Sequence, residues 1–70
     1  MDSTLQEVPN RLVRYMRCEG ESATIELVPA AGTPGHGTRI DGARLGWWQV
    51  KRIVPEAQGM NGAVVIASWA

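Results

Sequence analysis

The 70-residue chain has very few side chains that can cross-link or hold a metal, because Cys18 is its only cysteine and His36 its only histidine. A single cysteine cannot form a disulfide within the chain, and a lone thiol is typical of a reducing compartment, so we expect a cytoplasmic location. A structural zinc site needs about four Cys or His ligands, which excludes zinc fingers, ribbons and knuckles. The sequence therefore predicts no metal site and no cofactor.

An excess of charge of either sign is also missing, since seven Lys and Arg residues balance seven Asp and Glu residues. A general nucleic-acid-binding domain carries a clear excess of positive charge, so this balance argues against that class of protein. Six of the seven basic residues are arginine, which is better suited than lysine to bidentate contacts with carboxylate and phosphate groups.

Long hydrophobic segments are absent. The longest apolar run covers only residues 63–67, and the N-terminus is acidic and lacks the basic and apolar regions of a signal peptide. We therefore predict a soluble protein with no membrane association. A chain this short buries only about 60% of the surface that its unfolded form exposes, so we expect stabilisation by self-association or by a partner protein.

The sequence predicts a polar leader over residues 1–10, followed by a single domain over residues 11–70. Residues 11–18 fit two patterns: a strand with alternating sides, or a helix that begins near Pro9 and ends at Gly20. We favour the strand, because residues 19–22 have the composition of a hairpin loop and residues 23–28 alternate as a strand that Pro29 ends.

The second half begins with a loop over residues 30–38, where three glycines and a proline disfavour any regular element. A short strand is predicted at residues 38–40 and a long one at residues 47–54, with Trp48, Val50, Arg52 and Val54 on one face. For residues 47–54, a helix is the alternative.

Residues 55–62 are predicted to form a loop, with a tight turn at Asn61-Gly62. The last strand, residues 63–69, is apolar on both sides, as in a strand that is buried on both faces or paired with a second copy of the chain.

Four or five short strands between Gly and Pro turns predict a mainly β protein: a small barrel, SH3-like or OB-like, or a bent antiparallel sheet. The alternative is an α+β fold with one short helix packed on an antiparallel sheet. We identify no resemblance to a particular family. Short neutral domains of this kind are common among accessory proteins of phages and mobile elements, although no residue supports that origin in particular.

Groups for catalysis are scarce. His36 lies in the Gly-rich loop without a neighbouring nucleophile, and the loop has neither the spacing nor the lysine of a phosphate-binding P-loop. The carboxylates lie beside turn glycines rather than in a convergent pair. We therefore predict that the protein is not an enzyme and has no catalytic residues.

The adjacent tryptophans Trp47 and Trp48 must point to opposite faces of a strand. Trp48 aligns with Val50 and is assigned to the core, which leaves Trp47 as the candidate contact residue, since Trp and Arg are enriched in interface hot spots. Trp69 is expected to fasten the last strand to the core or to pair with another subunit. The predicted partner-binding set is Trp47, Lys51, Arg52, Tyr15 and His36.

These features favour a small protein-interaction module, an inhibitor or an adaptor, that binds a protein partner. The alternative is a nucleic-acid-binding small β-barrel, in which basic residues and the rings of Tyr15 and Trp47 would form a stacking surface. Self-association is predicted through the C-terminal strand.

Overall fold

Six strands form one sheet in the computed structural model, which describes residues 7–55 and 62–70. The mainly β prediction is confirmed, and within these residues there is no α-helix. Short 3-10 turns that lie wholly within the described ranges are found at Asn10–Leu12, Pro29–Ala31 and Ala43–Leu45. The strands are β1 (Glu7–Val8), β2 (Val13–Glu19), β3 (Ser22–Leu27), β4 (Arg39–Asp41), β5 (Trp47–Ile53) and β6 (Val64–Trp69).

The strand order is β1-β4-β5-β6-β3-β2, and the sheet curls into a half-barrel. Every neighbouring pair is antiparallel except β1 and β4, which run parallel. The edges of the sheet are therefore β1 and β2. Among the described residues, no helix is long and apolar enough to cross a membrane.

The core lies on one face of the sheet, called here the inner face, because side chains of one parity along each strand point there. In β3, for example, Ala23, Ile25 and Leu27 are buried while the residues between them are not. The remaining buried apolar side chains of this core cluster come from the other strands and are Val8, Ile40, Trp48, Val50, Val65 and Ala67. The opposite side is called the outer face.

The strand favoured for residues 11–18 is confirmed as β2, which begins at Val13 after the first 3-10 turn. It pairs with β3 through a two-residue turn, since Glu19 lies opposite Ser22. Gly20 has a φ of +65° and Glu21 does not have a positive φ, which is the pattern of a type II′ hairpin turn.

The C-terminal strand β6 occupies the middle of the sheet, hydrogen-bonded to β5 on one side and to β3 on the other. Its apolar residues on both sides follow from this central place: Val65 and Ala67 are buried on the inner face, and Val64 and Ile66 are half-buried on the outer face. Because both of its edges are already paired, β6 cannot pair edge to edge with a second copy of the chain. The predicted self-association through this strand is therefore corrected: β6 is an inner strand of its own sheet.

A β-bulge in β5 corrects the predicted faces of that strand. Val50 lies opposite Ala67 but Arg52 lies opposite Ile66, so Lys51 is an additional residue. The extra residue reverses the alternation after Val50. Arg52 therefore lies on the outer face in line with Gln49, and Ile53 packs against the core instead.

The segment predicted as a loop, residues 30–38, lacks strands but is tied to β5. The amide of Gly37 donates to the carbonyl of Val50 (3.0 Å), and the amide of Val50 donates to the carbonyl of Thr38 (2.8 Å). Pro34 and Thr38 are buried. Thus the loop continues the line of β4 beside β5.

The predicted leader overlaps the sheet, because Glu7 and Val8 form β1 beside Arg39 and Ile40. The leader's residues 1–6 lie outside the described residues. So does the predicted turn residue Asn61, with most of the loop at residues 55–62.

Candidate functional site

A hydrogen-bonded turn connects β4 to β5 at one end of the sheet. The amide of Gly42 donates to the carbonyl of Gly46 (2.8 Å), and the amide of Leu45 donates to the carbonyl of Gly42 (3.0 Å). The indole Nε1 of Trp48 donates to the carbonyl of Leu45 (3.1 Å). These bonds fix the backbone of the turn while its Leu45 side chain stays exposed.

The same turn holds a strained residue. Ala43 has a φ of +56° and is the one non-glycine residue with a positive φ in the described part of the chain. This conformation is unfavourable for a residue with a Cβ atom. The carboxylate of Asp41 stabilises it by accepting a hydrogen bond from the amide of Ala43 (2.8 Å).

Trp69 covers the end of this turn. Its ring stacks on that of the buried Trp48, with the ring centroids 4.6 Å apart and the planes inclined by 22°. A Cβ atom on Gly46 would lie 2.7 Å from Trp69 Cζ3, so a glycine is required beneath the indole. Trp69 nevertheless keeps 54% of its surface exposed, because only one side of the indole is covered by Trp48.

Trp47 lies on the outer face at the same end of the sheet. It is adjacent to Gly46 in the chain, and its carbonyl accepts from the amide of Ala70 (3.2 Å). The guanidinium carbon of Arg39 lies 5.6 Å from the centroid of the Trp47 ring, within the range of a cation–π contact. The Nε atom of Arg39 is buried and has no acceptor among the described residues.

Three exposed large apolar side chains therefore lie near Gly46: its chain neighbours Leu45 and Trp47, and Trp69, whose ring is close to its Cα. We call Leu45, Trp47 and Trp69 the rim patch. They account for three of the four exposed large hydrophobic residues in the described part of the chain. The two indoles lie on opposite faces of the sheet, so the patch wraps around its end. Aromatic side chains that are held rigid supply contact area at a low cost in conformational entropy.

The predicted contact residues do not form one patch. Tyr15 is exposed on the outer face of β2, where it is level with Glu26 and Val64. Trp47 is three strands away and level with Ala70, so sheet spacings place the two residues about 25 Å apart. Of the predicted set, Trp47 alone belongs to the rim patch. Arg52 and Lys51 are exposed further along β5.

The side chain of His36 is hydrogen-bonded to the backbone of Lys51, not to its side chain. The His36 ring donates its Nε2–H to the carbonyl oxygen of Lys51. Because Lys51 is the bulge residue, its backbone interrupts the regular ladder with β6. The contact therefore gives His36 a structural function, which is to hold the Gly-rich loop against the bulge.

Charge is unevenly distributed around the sheet although the whole chain is neutral. On β1, β4, β5 and the turn between β4 and β5, which we call the basic side, four basic residues outnumber two carboxylates. The basic residues are Arg39, Arg44, Lys51 and Arg52, and the acidic ones are Glu7 and Asp41. On this side no ion pair within 4.0 Å joins two residues of the described ranges.

The β2–β3 hairpin has the opposite balance, with two arginines and three glutamates. Arg14 lies 3.8 Å from Glu26, and Arg17 lies 3.0 Å from Glu19. Its third glutamate, Glu21, is in the turn. The positive charge of this hairpin is therefore already paired within the hairpin.

Sequence reasoning missed Leu45 and did not recognise the exposed side of Trp69. The available signal was the pair Gly42 and Gly46, which bracket Ala43, Arg44 and Leu45 just before two tryptophans. Two glycines at that spacing indicate a tight turn, and an apolar residue within such a turn has no strand neighbours to bury it.

Comparisons with protein-family models, with curated proteins and with solved structures gave no match to this chain. Among the described residues, no group of three His, Cys, Asp or Glu side chains is placed to hold a metal ion.

Proposed function

We propose that this chain is a non-enzymatic protein-interaction module, an inhibitor or an adaptor, that binds its partner through the rim patch. The observation that supports this proposal most directly is the exposure of Leu45 on a turn whose backbone is hydrogen-bonded and strained, with the exposed Trp69 of β6 packed over the end of that turn. A fixed turn binds without a large loss of conformational entropy, so its exposed apolar side chains can serve as anchors.

Composition supports the same class of function. Interface centres are enriched in Trp and Arg, and the rim patch combines two tryptophans with Arg39, which lies over the Trp47 ring, and with Arg44 in the turn. The proposal retains Trp47 from the sequence prediction and adds Leu45 and Trp69 to it.

The test is capture of a partner from a cell extract by the tagged protein, with quantitative binding to the captured partner measured for Leu45→Ser and Trp47→Ala. Each side chain is exposed, so the fold is expected to survive, which circular dichroism checks. We expect at least one variant to lose roughly 2 kcal/mol, about 30-fold in Kd.

Tyr15→Ala is the matched control, because Tyr15 is as exposed as Trp69 but lies on β2. We expect it to bind like the unaltered chain. If both rim variants bind within about threefold of the unaltered protein, the rim patch is not the contact surface, and a loss confined to Tyr15→Ala would move the site to the hairpin.

A nucleic-acid-binding β-barrel is the second candidate, favoured by the excess of basic residues on the basic side and by the Arg39–Trp47 stack. This function predicts a steep fall in affinity with salt, because phosphate contacts release counterions. Nuclease treatment of the captured material separates the two functions: a protein partner survives it, whereas a complex held by nucleic acid is lost.

A further inference from the structure

We infer that the partner of the rim patch is an acidic protein segment, in which carboxylates flank an apolar residue that packs against Leu45 and the outer face of the patch at Trp47. This inference rests on the proposed function and adds the chemistry of the partner. It is carried by the position of the basic side, which includes the turn that presents Leu45.

The arginines are placed beside the apolar contacts rather than apart from them. Arg44 precedes Leu45 in the turn and is exposed, and Arg39 lies over the ring of Trp47. Arg52 continues the positive charge along the outer face of β5. A ligand that lies across Leu45 and Trp47 therefore meets the guanidinium groups of Arg44 and Arg39 beside them, and these groups bind carboxylates with bidentate geometry.

The β2–β3 hairpin does not offer the same attraction. The arginines of the β2–β3 hairpin are paired with Glu26 and Glu19, and the hairpin as a whole has one more glutamate than arginine. Consequently an acidic ligand is attracted to the rim patch and is not attracted to the hairpin. Such an uneven charge distribution orients an acidic partner as it approaches and raises the rate of association.

An acidic protein fits this surface better than a nucleic acid does. Leu45 has no ring on which a base could stack, and the carboxylates of Glu7 and Asp41 lie among the arginines of the basic side. Carboxylates so placed repel a continuous phosphate backbone, whereas a protein segment can leave uncharged residues opposite them. Stacking surfaces for single-stranded nucleic acid combine aromatic rings with uninterrupted positive grooves.

The experiment is a selection of 12-residue peptides from a random displayed library on the immobilised full chain. Recovered peptides are then synthesised with a fluorescent label, and their affinities are measured by anisotropy. We expect peptides with an excess of Asp and Glu around one or two apolar residues. Their Kd should rise at least tenfold with Leu45→Ser and about tenfold with Arg44→Glu/Arg52→Glu, since each reversed charge replaces an attraction to the peptide carboxylates with a repulsion.

Arg17→Glu is the matched charge-reversal control, because Arg17 is exposed on the hairpin, and it should change the Kd by less than threefold. Peptides that depend on Leu45 but carry no acidic excess, and that ignore the Arg44→Glu/Arg52→Glu change, would overturn this inference and leave the proposed function standing. Recovery of no peptide that depends on Leu45 would overturn both.

A labelled 12-residue oligothymidylate is the last arm of the same experiment. Binding at 50 mM salt that is lost with Arg44→Glu/Arg52→Glu and unaffected by Leu45→Ser would assign the basic side to nucleic acid and overturn the inference. The expected result is that this oligonucleotide binds far more weakly than the selected peptides.

Discussion

The close packing around the rim depends on individual glycines, and Gly42 is the clearest case. Its φ of −89° is accessible to any residue, so a substitution there has only a steric effect. A Cβ atom would lie 2.6 Å from the carbonyl oxygen of Gly46 and 2.9 Å from Trp48 Nε1. Neither neighbour can move without disturbing the bond between Trp48 and Leu45 that positions the turn.

We therefore expect Gly42→Ala to lower the free energy of unfolding by about 1–3 kcal/mol, as overpacking of a filled site does. Thermal unfolding followed by tryptophan fluorescence measures this loss. Gly35→Ala is the matched control, because Gly35 has no positive φ and a Cβ atom there would contact nothing within 4 Å. Equal melting temperatures for the two variants would show that the turn is not tightly packed.

At the scale of elements, alternation in the sequence was sufficient to predict β3 and most of β5, because one face of each strand is buried and the side-chain period is two. The prediction of the buried face failed after Val50, because a bulge adds one residue and nothing in the neighbouring side chains indicates it. The stabilising partner of that bulge, the His36 ring, comes from a loop 15 residues away. A contact of this kind cannot be inferred from the pattern of one strand.

The bulge makes a specific prediction about deletions in β5. Removing Lys51 leaves Arg52 on the outer face and Ile53 on the inner face, so the strand becomes regular and the chain should still fold. The deletion removes the contact with His36, at a cost of about 1 kcal/mol, or roughly 4–8 °C in Tm. Circular dichroism during heating measures this change.

Removing Gln49 is the control for the Lys51 deletion. Because this deletion shifts the strand by one residue, it would exchange Trp48 between the inner and outer faces, and a strand with its buried set on the wrong face should not fold. If the Lys51 deletion proves as disruptive as the Gln49 deletion, the bulge is essential to the sheet rather than accommodated by it.

At the scale of the whole molecule, the strand order was beyond sequence reasoning. Neighbouring strands in the chain usually pair, and β2–β3, β4–β5 and β5–β6 follow that rule, but β6 also pairs with β3 across most of the chain. The rim patch has the same origin, since Gly46 and its neighbours lie near Trp69 only because β6 lies beside β5. The candidate site is therefore a property of the topology, and Trp47 was predictable only because its neighbour Trp48 had to be buried.

The central position of β6 predicts that the two ends of the chain differ in importance. A chain without residues 64–70 loses the ladders to β3 and β5 together with the buried Val65 and Ala67. The two remaining pieces of sheet would each expose an unpaired edge and an apolar face, so we expect no cooperative unfolding transition. Of the described residues, a chain without residues 1–8 loses the edge strand β1 with the buried side chain of Val8, which contributes about 2 kcal/mol. It should unfold cooperatively at a lower denaturant concentration than the full chain.

Urea titrations followed by circular dichroism compare the two truncations. A cooperative transition in the chain that lacks β6 would contradict the role of β6 as the strand that joins the two parts of the sheet.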